Sequence, residues 1–365
     1  MENQKNGRQS LLIVGGYGVV GLQIAELLSE RNPELELIIA GRSEASASQA
    51  AKRFPNARAL RVDVDQADPL MALSSIPDAV LAVANDSHDR LLDATTKRGA
   101  AFIDITRWTE RMHASILRLA PTRLTAPVVL SSGWMAGVVA TVAAADADKF
   151  GRVDSINIDI LYAIKDKAGP NSLEYADRLA IPFPVQIDGQ TQMKKALSDP
   201  REVTFSGGRS FQTYRFDTPD QYTLVQSTCA SSVSTRLAYD DSSAVNSLRF
   251  MLNTGIWKIL SLSMFDGVRK SMLYNPGQGD VHEVIVETTG IDTQGGRTQA
   301  RSSIIDALGQ THMTAAGAAA QVERVLALKG RTIVPPGISF PDQTPDIARA
   351  LESLREMGVS ITRAS

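Results

Sequence analysis

Short apolar runs alternate with segments of helical spacing through the first third of the chain. Ser10–Val14, Leu35–Ala40, Ala59–Val64, Ala79–Ala84, Ala101–Ile105 and Val128–Ser131 read as buried strands. Between them, Val20, Ile24, Leu27 and Leu28 recur on one face of a helix predicted over residues 19–31. Shorter helices are predicted over 46–54, from Pro69 to Leu73, and over 86–98, the last with Asp86 or Ser87 as N-cap. Strands alternating with helices imply βαβ units on a parallel sheet, an α/β fold.

The pattern changes after Gly133. An Ala- and Val-rich helix is predicted over 135–150. A strand over 153–165 then carries Ile156, Ile158, Ile160, Tyr162 and Ile164 on one face. Further strands are expected at Glu202–Phe205, Tyr222–Gln226, Val233–Tyr239, Val281–Thr289 and Thr298–Asp306, the last two joined as a hairpin through residues 292–296. An amphipathic helix is expected over 244–265, another over 315–328 stopped by Gly330, and a last one over 346–357. This part reads as an α+β domain on a mainly antiparallel sheet.

Composition narrows the classes. The 365 residues carry 38 basic and 40 acidic side chains, a net charge of −2, so neither nucleic acid nor an anionic membrane is expected as main partner. With 43% apolar residues the chain is globular, and its single cysteine, Cys229, permits no intramolecular disulfide. Residues 1–10 lack the apolar core of a signal peptide, and the chain is read as cytoplasmic. No zinc-ligand spacing, G-x-S-x-G elbow or Walker loop occurs, and no metal is expected. Cys229 is read as a buried apolar residue.

The sharpest chemical signal is Gly16-Tyr17-Gly18-Val19-Val20-Gly21, placed directly after a strand and opening a helix. In that context Gly16 takes the tight turn, Gly18 lets backbone approach a pyrophosphate, and Gly21 brings the helix close to the sheet. The pyrophosphate would sit at the helix N-terminus. The second strand ends in Gly41-Arg42-Ser43, with no carboxylate where an NAD site usually places one. Arg42 is read as a partner for a 2′-phosphate and Ser43 as a hydrogen-bond donor, favouring NADP over NAD, although Glu44 is a displaced carboxylate a ribose could use. Asp63, Val64 and Asp65 lie near the adenine edge or cap a strand end. Ala84 and Asn85 are expected to line the cofactor through their backbone.

These segments resemble the saccharopine dehydrogenase family of NAD(P)-dependent oxidoreductases. The resemblance is carried by residues 12–21, by Ala40-Gly41-Arg42, by residues 61–65, and by Phe102-Ile103-Asp104-Ile105-Thr106. Residues 133–138 are similar to the family's segment entering its second domain, and residues 336–343 more weakly to its closing loop. The resemblance implies a Rossmann doubly wound sheet, residues 1–133 plus 331–365, with an inserted α+β substrate and dimerisation domain, residues 134–330. It also implies hydride transfer at a C–N bond, an imine formed from an amine and a 2-oxo acid being reduced by NADPH. One departure is Asn85-Asp86-Ser87-His88, where the family often has small apolar residues. A carbonyl or enoyl reductase and a non-catalytic NADP(H)-sensing regulator are the rival readings.

Hydride transfer needs orientation and one proton donor. His88, just past the fourth strand, is a candidate because imidazole titrates near neutrality. Tyr162 and Lys165, with Lys167, are candidates at a strand end of the second domain. Thr106 and Arg107 are candidate ligands for substrate oxygen and carboxylate; Arg178, following Tyr175, is another. Trp134, with Met135, is expected to wall the nicotinamide or to pack internally. His312 with Thr314 either faces substrate or caps a helix beginning at Ala315. A homodimer is expected, with Leu248, Met251, Leu252, Ile256, Ile259 and Leu260 as one place it could form.

Overall fold

The computed structural model describes residues 8–166, 178–265 and 279–364. The candidates Lys167 and Tyr175 lie outside the described residues. The chain divides into two compact units, residues 1–132 with 315–340, and residues 133–314 with 341–365.

The first unit is a seven-stranded sheet in which all pairings are parallel. Its strands are β1 (Ser10–Val14), β2 (Glu36–Gly41), β3 (Ala57–Arg61), β4 (Ala79–Ala82), β5 (Ala101–Asp104), β6 (Pro127–Leu130) and β15 (Gly337–Ser339), in the order β15-β6-β5-β4-β1-β2-β3. The order reverses beside β1, as in a Rossmann fold. The crossovers include α1 (Val19–Arg31), α2 (Glu44–Ala51), α3 (Arg90–Lys97) and α4 (Thr109–Leu119). β1, β4 and β5 are buried almost throughout, which explains why they read as continuous apolar runs. The stretch from Pro69 to Leu73, expected as a helix, forms overlapping turns instead. Asp68 accepts from the Leu70 N–H at 3.2 Å and from the Met71 N–H through its carbonyl, which ends the chain reversal before a helix can nucleate.

The second unit has a nine-stranded mixed sheet. Its path is β10 (Arg201–Thr204), β11 (Ser210–Arg215), β12 (Ser232–Tyr239), β7 (Phe150–Tyr162), β13 (His282–Asp292), β14 (Arg297–Asp306) and β16 (Ser360–Ala364); β8 (Phe183–Ile187) pairs with β12 and with β9 (Gln190–Lys194). Pairing is antiparallel except between β12 and β7, whose long intervening chain permits a parallel return. Ile156, Ile158 and Ile160 are fully buried on one face, and α5 (Val138–Ala147), buried along its whole length, contacts β7 and β13.

Several expectations change here. Tyr222–Gln226, expected as a strand, lies inside the helix α6 (Asp220–Thr228). Gln221 fixes that helix to its surroundings, donating to Phe216 O at 3.0 Å and accepting from the Thr235 N–H at 3.1 Å. The helix expected over 244–265 breaks into α7 (Ser242–Asn253) and α8 (Ile256–Leu260) at Gly255, whose φ of 78° is left-handed. Cys229 is exposed, not buried, because it holds the left-handed C-cap of α6 at φ 54°. The helix α9 (Gln310–Val325) starts five residues earlier than expected and places residues 315–325 in the first unit. The segment 341–365 was expected with the first unit. It belongs to the second, because α10 (Ile347–Glu356) contacts α5 and β16 adds to β14 from Arg301↔Ala364 to Ile305↔Ser360. Among the described residues no helix is long and apolar enough to cross a membrane.

Candidate functional site

The loop between β1 and α1 is tied down by its backbone. The N–H groups of Gly15 and Gly16 both donate to Ala40 O, at 2.8 and 3.1 Å. The left-handed turn falls at Gly15, with φ 93°, and not at Gly16 as expected. Gly16 is required for another reason: a Cβ there would stand 2.8 Å from Ile13 O. A Cβ on Gly21 would stand 2.7 Å from Gly16 Cα, so α1 lies against its own entry loop.

Gly18 differs. Its φ is −74°, open to any residue, and a Cβ would meet only Gly15 O, at 3.2 Å. The chain's own packing therefore does not demand glycine there. What the missing side chain leaves open is the space above the N-terminus of α1. That helix has no side-chain cap and no acidic residue in its first turn. Its first N–H groups, those of Val19 and Val20 among them, and the positive end of its dipole face outward unopposed. These features fit a pyrophosphate.

Tyr17 lies across the end of β2. Its hydroxyl accepts from the Ser43 N–H at 3.2 Å, and its ring occupies the place a Cβ on Gly41 would need. Ser43 caps α2, accepting from the Ser46 N–H and hydroxyl at 3.2 and 2.9 Å, which leaves its own proton to donate. Arg42 is exposed and makes no ion pair or hydrogen bond among the described residues. Arg61, the register partner of Gly41 on β3, is equally exposed and unpaired; sequence reading passed over it, although its place at a strand end beside Asp63 was visible. Glu44 opens α2 and is exposed. Asp63 accepts from the Asp65 N–H at 3.1 Å, so it shapes the turn after β3, beside half-buried Val64. After β4, Ala84 donates its N–H to Val14 O at 2.9 Å and the Asn85 carboxamide accepts from Arg111.

Asp86 is fully buried and accepts from three N–H groups at the start of α3, those of Arg90, Leu91 and Leu92, at 2.9–3.2 Å. Burial raises its pKa against those bonds. His88 is exposed in the loop ahead of α3, not in its first turn.

The strand end of β5 reads differently from the expectation. Arg107 is fully buried, with Nε 2.8 Å from Asp104 Oδ2 and Nη1 on Asp89 and Ser115. Its N–H donates to Ser132 Oγ at 2.9 Å. Thr106 donates through both N–H and hydroxyl to Asp104 Oδ1, at 2.7 and 2.8 Å. The guanidinium expected to hold a substrate carboxylate is thus committed to carboxylates of its own chain. Thr106 is a local brace.

In the second unit, Trp134 donates its N–H to Asp220 Oδ2 at 2.7 Å and its indole N–H to His282 Nε2 at 3.0 Å. It also packs edge-on to Phe216, with centroids 5.7 Å apart. His282 is therefore an acceptor at Nε2 and carries its proton on Nδ1, 3.9 Å from Asp166 Oδ2. Burial pushes its pKa down to about 3, so the ring is neutral. Asp166 caps α9 through the Gln310 N–H at 2.9 Å, and Gln310 Nε2 donates to the Tyr162 hydroxyl at 2.8 Å. Burial raises the Tyr162 pKa, which opposes its use as an acid at neutral pH. Lys165 is exposed, and Arg178 is half-buried in a turn whose carbonyl accepts from Ile181. His312, inside α9 rather than ahead of it, bonds Asp306 at 2.7 Å. Asp220 is fully buried, and burial lifts its pKa to about 6.

Residues 11–127 match the Saccharopine dehydrogenase NADP binding domain. Over those residues the chain is similar to the nucleotide-binding domain of that family. That domain supports an oxidoreductase that uses a nicotinamide dinucleotide. In fold the chain is similar to saccharopine dehydrogenase (L-Glu forming) from Saccharomyces cerevisiae, with 13% identity and a TM-score of 0.70 over 98% of this chain and 100% of that one. It is also similar to a meso-dapdh variant from Clostridium tetani, at 12% identity and a TM-score of 0.47 over 94% and 95% of the two chains. A myo-inositol dehydrogenase from Corynebacterium glutamicum gives 12% and 0.44 over 96% and 95%. The search of curated proteins returns no match.

Proposed function

We propose that the chain is an NADP(H)-dependent oxidoreductase that reduces a C=N bond, or oxidises the corresponding C–N bond, of a small amino-acid-derived substrate. The observation that carries the cofactor choice is the pair of exposed cations, Arg42 and Arg61, unpaired among the described residues at the ends of neighbouring strands β2 and β3. A 2′-phosphate is the charge they lack, and Ser43 has a proton to give it. The glycine loop and the uncapped N-terminus of α1 hold the pyrophosphate, and Tyr17 closes the end of β2 beneath the ribose. The C=N assignment is supported by the saccharopine dehydrogenase-like fold.

Bound NADPH supplies the hydride for such a reduction. The chain must supply a proton to the nitrogen. His88 is our candidate, because it stands exposed past β4 with no ring partner among the described residues. The companion expectations are that the working enzyme is a homodimer and that it takes no metal.

The protein is incubated with NADPH, pooled 2-oxo acids and primary amines, following absorbance at 340 nm and product mass. Cofactor loss with a secondary or cyclic amine is expected. A hydroxyl or saturated-alkene product alone would move the reading to a carbonyl or enoyl reductase. Tight cofactor binding with no turnover of any of these substrates would favour a sensor. Arg42→Ala is expected to raise KM for NADPH by roughly tenfold or more, the loss of one charge-assisted hydrogen bond, while leaving KM for NADH nearly unchanged. Equal effects on both cofactors would refute the phosphate assignment. His88→Gln is expected to lower kcat by roughly 10²-fold or more while leaving KM for NADPH nearly unchanged.

A further inference from the structure

The sheet of the second unit turns Ile156, Ile158 and Ile160 to its apolar side. Its other face carries an unusual concentration of arginine. Arg215 on β11 and Arg236 on β12 are register partners, so their side chains stand side by side on one face. Both are almost completely buried, at 7% and 8% exposure. Like charges directly opposite across an antiparallel pair are destabilising unless something neutralises them.

The chain neutralises them incompletely. Arg236 makes no ion pair among the described residues. Its Nη1 donates to Ser234 Oγ at 2.8 Å and to Asn157 Oδ1 at 3.3 Å, and its Nε reaches only the backbone carbonyl of Asp199, at 3.4 Å. Arg215 holds Asp199 Oδ2 through Nε at 3.3 Å, but its Nη1 is buried with no hydrogen-bond partner. Asp199 also serves Lys194, at 3.5 Å. Around them, Arg201 pairs with Asp159 and Glu287, and Arg301 with Glu287. Five cations thus share three carboxylates. Burial raises the Asp159 pKa, which weakens its contribution as an anion, while burial and the nearby Arg215 lower that of Arg236 to about 10.

Such a cluster carries two positive charges in excess. We propose that Arg215 and Arg236, with Ser234 and Asn157, form a binding site for a small oxyanion, a carboxylate or phosphate group, distinct from the glycine loop of the first unit. The half-exposed Asp199 carboxylate, 3.3 Å from Arg215 Nε, serves as an internal stand-in. An incoming anion displaces it and reaches Arg215 Nη1 and the Arg236 fork, each of which forms charge-assisted, near-planar hydrogen bonds. Burial makes those bonds strong, since the guanidinium groups have already lost their water.

The test is thermal unfolding of the full chain against inorganic phosphate and, separately, succinate, with sodium chloride at matched ionic strength as control. The expected result is a saturable rise in Tm with at least one of the two anions beyond the chloride control. Phosphate alone assigns a phosphate group; succinate alone assigns a carboxylate. Arg42→Ala should keep the response, which separates this site from the cofactor loop. Arg236→Met should abolish it. Asp199→Asn removes the internal competitor and should tighten the apparent Kd about tenfold by calorimetry, a readout that stands even if Arg236→Met does not fold. A response no larger than that of chloride, an unchanged response in Arg236→Met, or an Asp199→Asn affinity equal to or weaker than that of the parent chain would each overturn the proposal.

Discussion

Burial and ion pairs with Asp104 and Asp89 give Arg107 the geometry of a brace, and substitution by methionine separates that role from binding of a substrate carboxylate. Among the described residues the change removes the only cation touching Asp104 Oδ2, which is fully buried, and one of two arginines on Asp89. Asp104 Oδ1 keeps both bonds from Thr106. Breaking a buried pair from one side strands the other charge, at a cost of about 3–5 kcal/mol. Against a total stability of about 5–15 kcal/mol that is a large fraction. With a urea slope of about 2–3 kcal/mol per molar, the midpoint should fall by roughly 1–2 M, followed by far-UV circular dichroism. Asp104→Asn combined with Arg107→Met removes the stranded charge, so the double variant should be less destabilised than the sum of the singles by at least about 1 kcal/mol. NADPH binding per folded molecule should change little. A parental urea midpoint with a raised substrate KM would refute the reasoning and return Arg107 to the substrate.

The remaining predictions are shorter. Gly21→Ala forces a Cβ against the backbone of Gly15 and Gly16, neither of which can yield as a side chain would; a net loss of about 1–3 kcal/mol and a markedly weaker NADPH Kd are expected, checked by Tm and fluorescence titration. Asp220 has a folded pKa of about 6, above the unfolded carboxylate, so the folded state binds the extra proton and wild-type stability from this group falls as pH rises from about 4 through 6. Asp220→Asn should therefore stabilise the chain by about 2–3 kcal/mol at pH 8 and by nearly nothing at pH 4; a gain independent of pH would show that the carboxyl does not titrate there. Cys229 should react with one equivalent of maleimide in the native state without lowering Tm, and protection until unfolding would contradict its exposure.

What the sequence disclosed divides along the range of the interactions. The β1–loop–α1 unit was legible because its signals are local: apolar run, glycine spacing and helical face lie within residues 10–31, and Gly16 and Gly21 are required by backbone atoms of that same segment. Even there the left-handed turn was assigned one residue late, since a Gly-Gly pair does not say which member takes the positive φ. The misread elements depend on partners far along the chain. Tyr222–Gln226 alternates like a strand, but Gln221 reaching Phe216 and Thr235 settles it as a helix. Arg107 looked like a ligand because its type and place at a strand end suit one, whereas burial against Asp89 and Ser115 is a property of the packed fold. The His282–Trp134 bond joins residues 148 apart, and the Arg215–Arg236 pair exists only through the register of β11 and β12. Glycine spacing therefore points to a cofactor from sequence alone. The identity of a substrate-binding arginine does not emerge that way, because an exposed guanidinium such as Arg42 and a buried, ion-paired one such as Arg107 are the same letter until their neighbours are known.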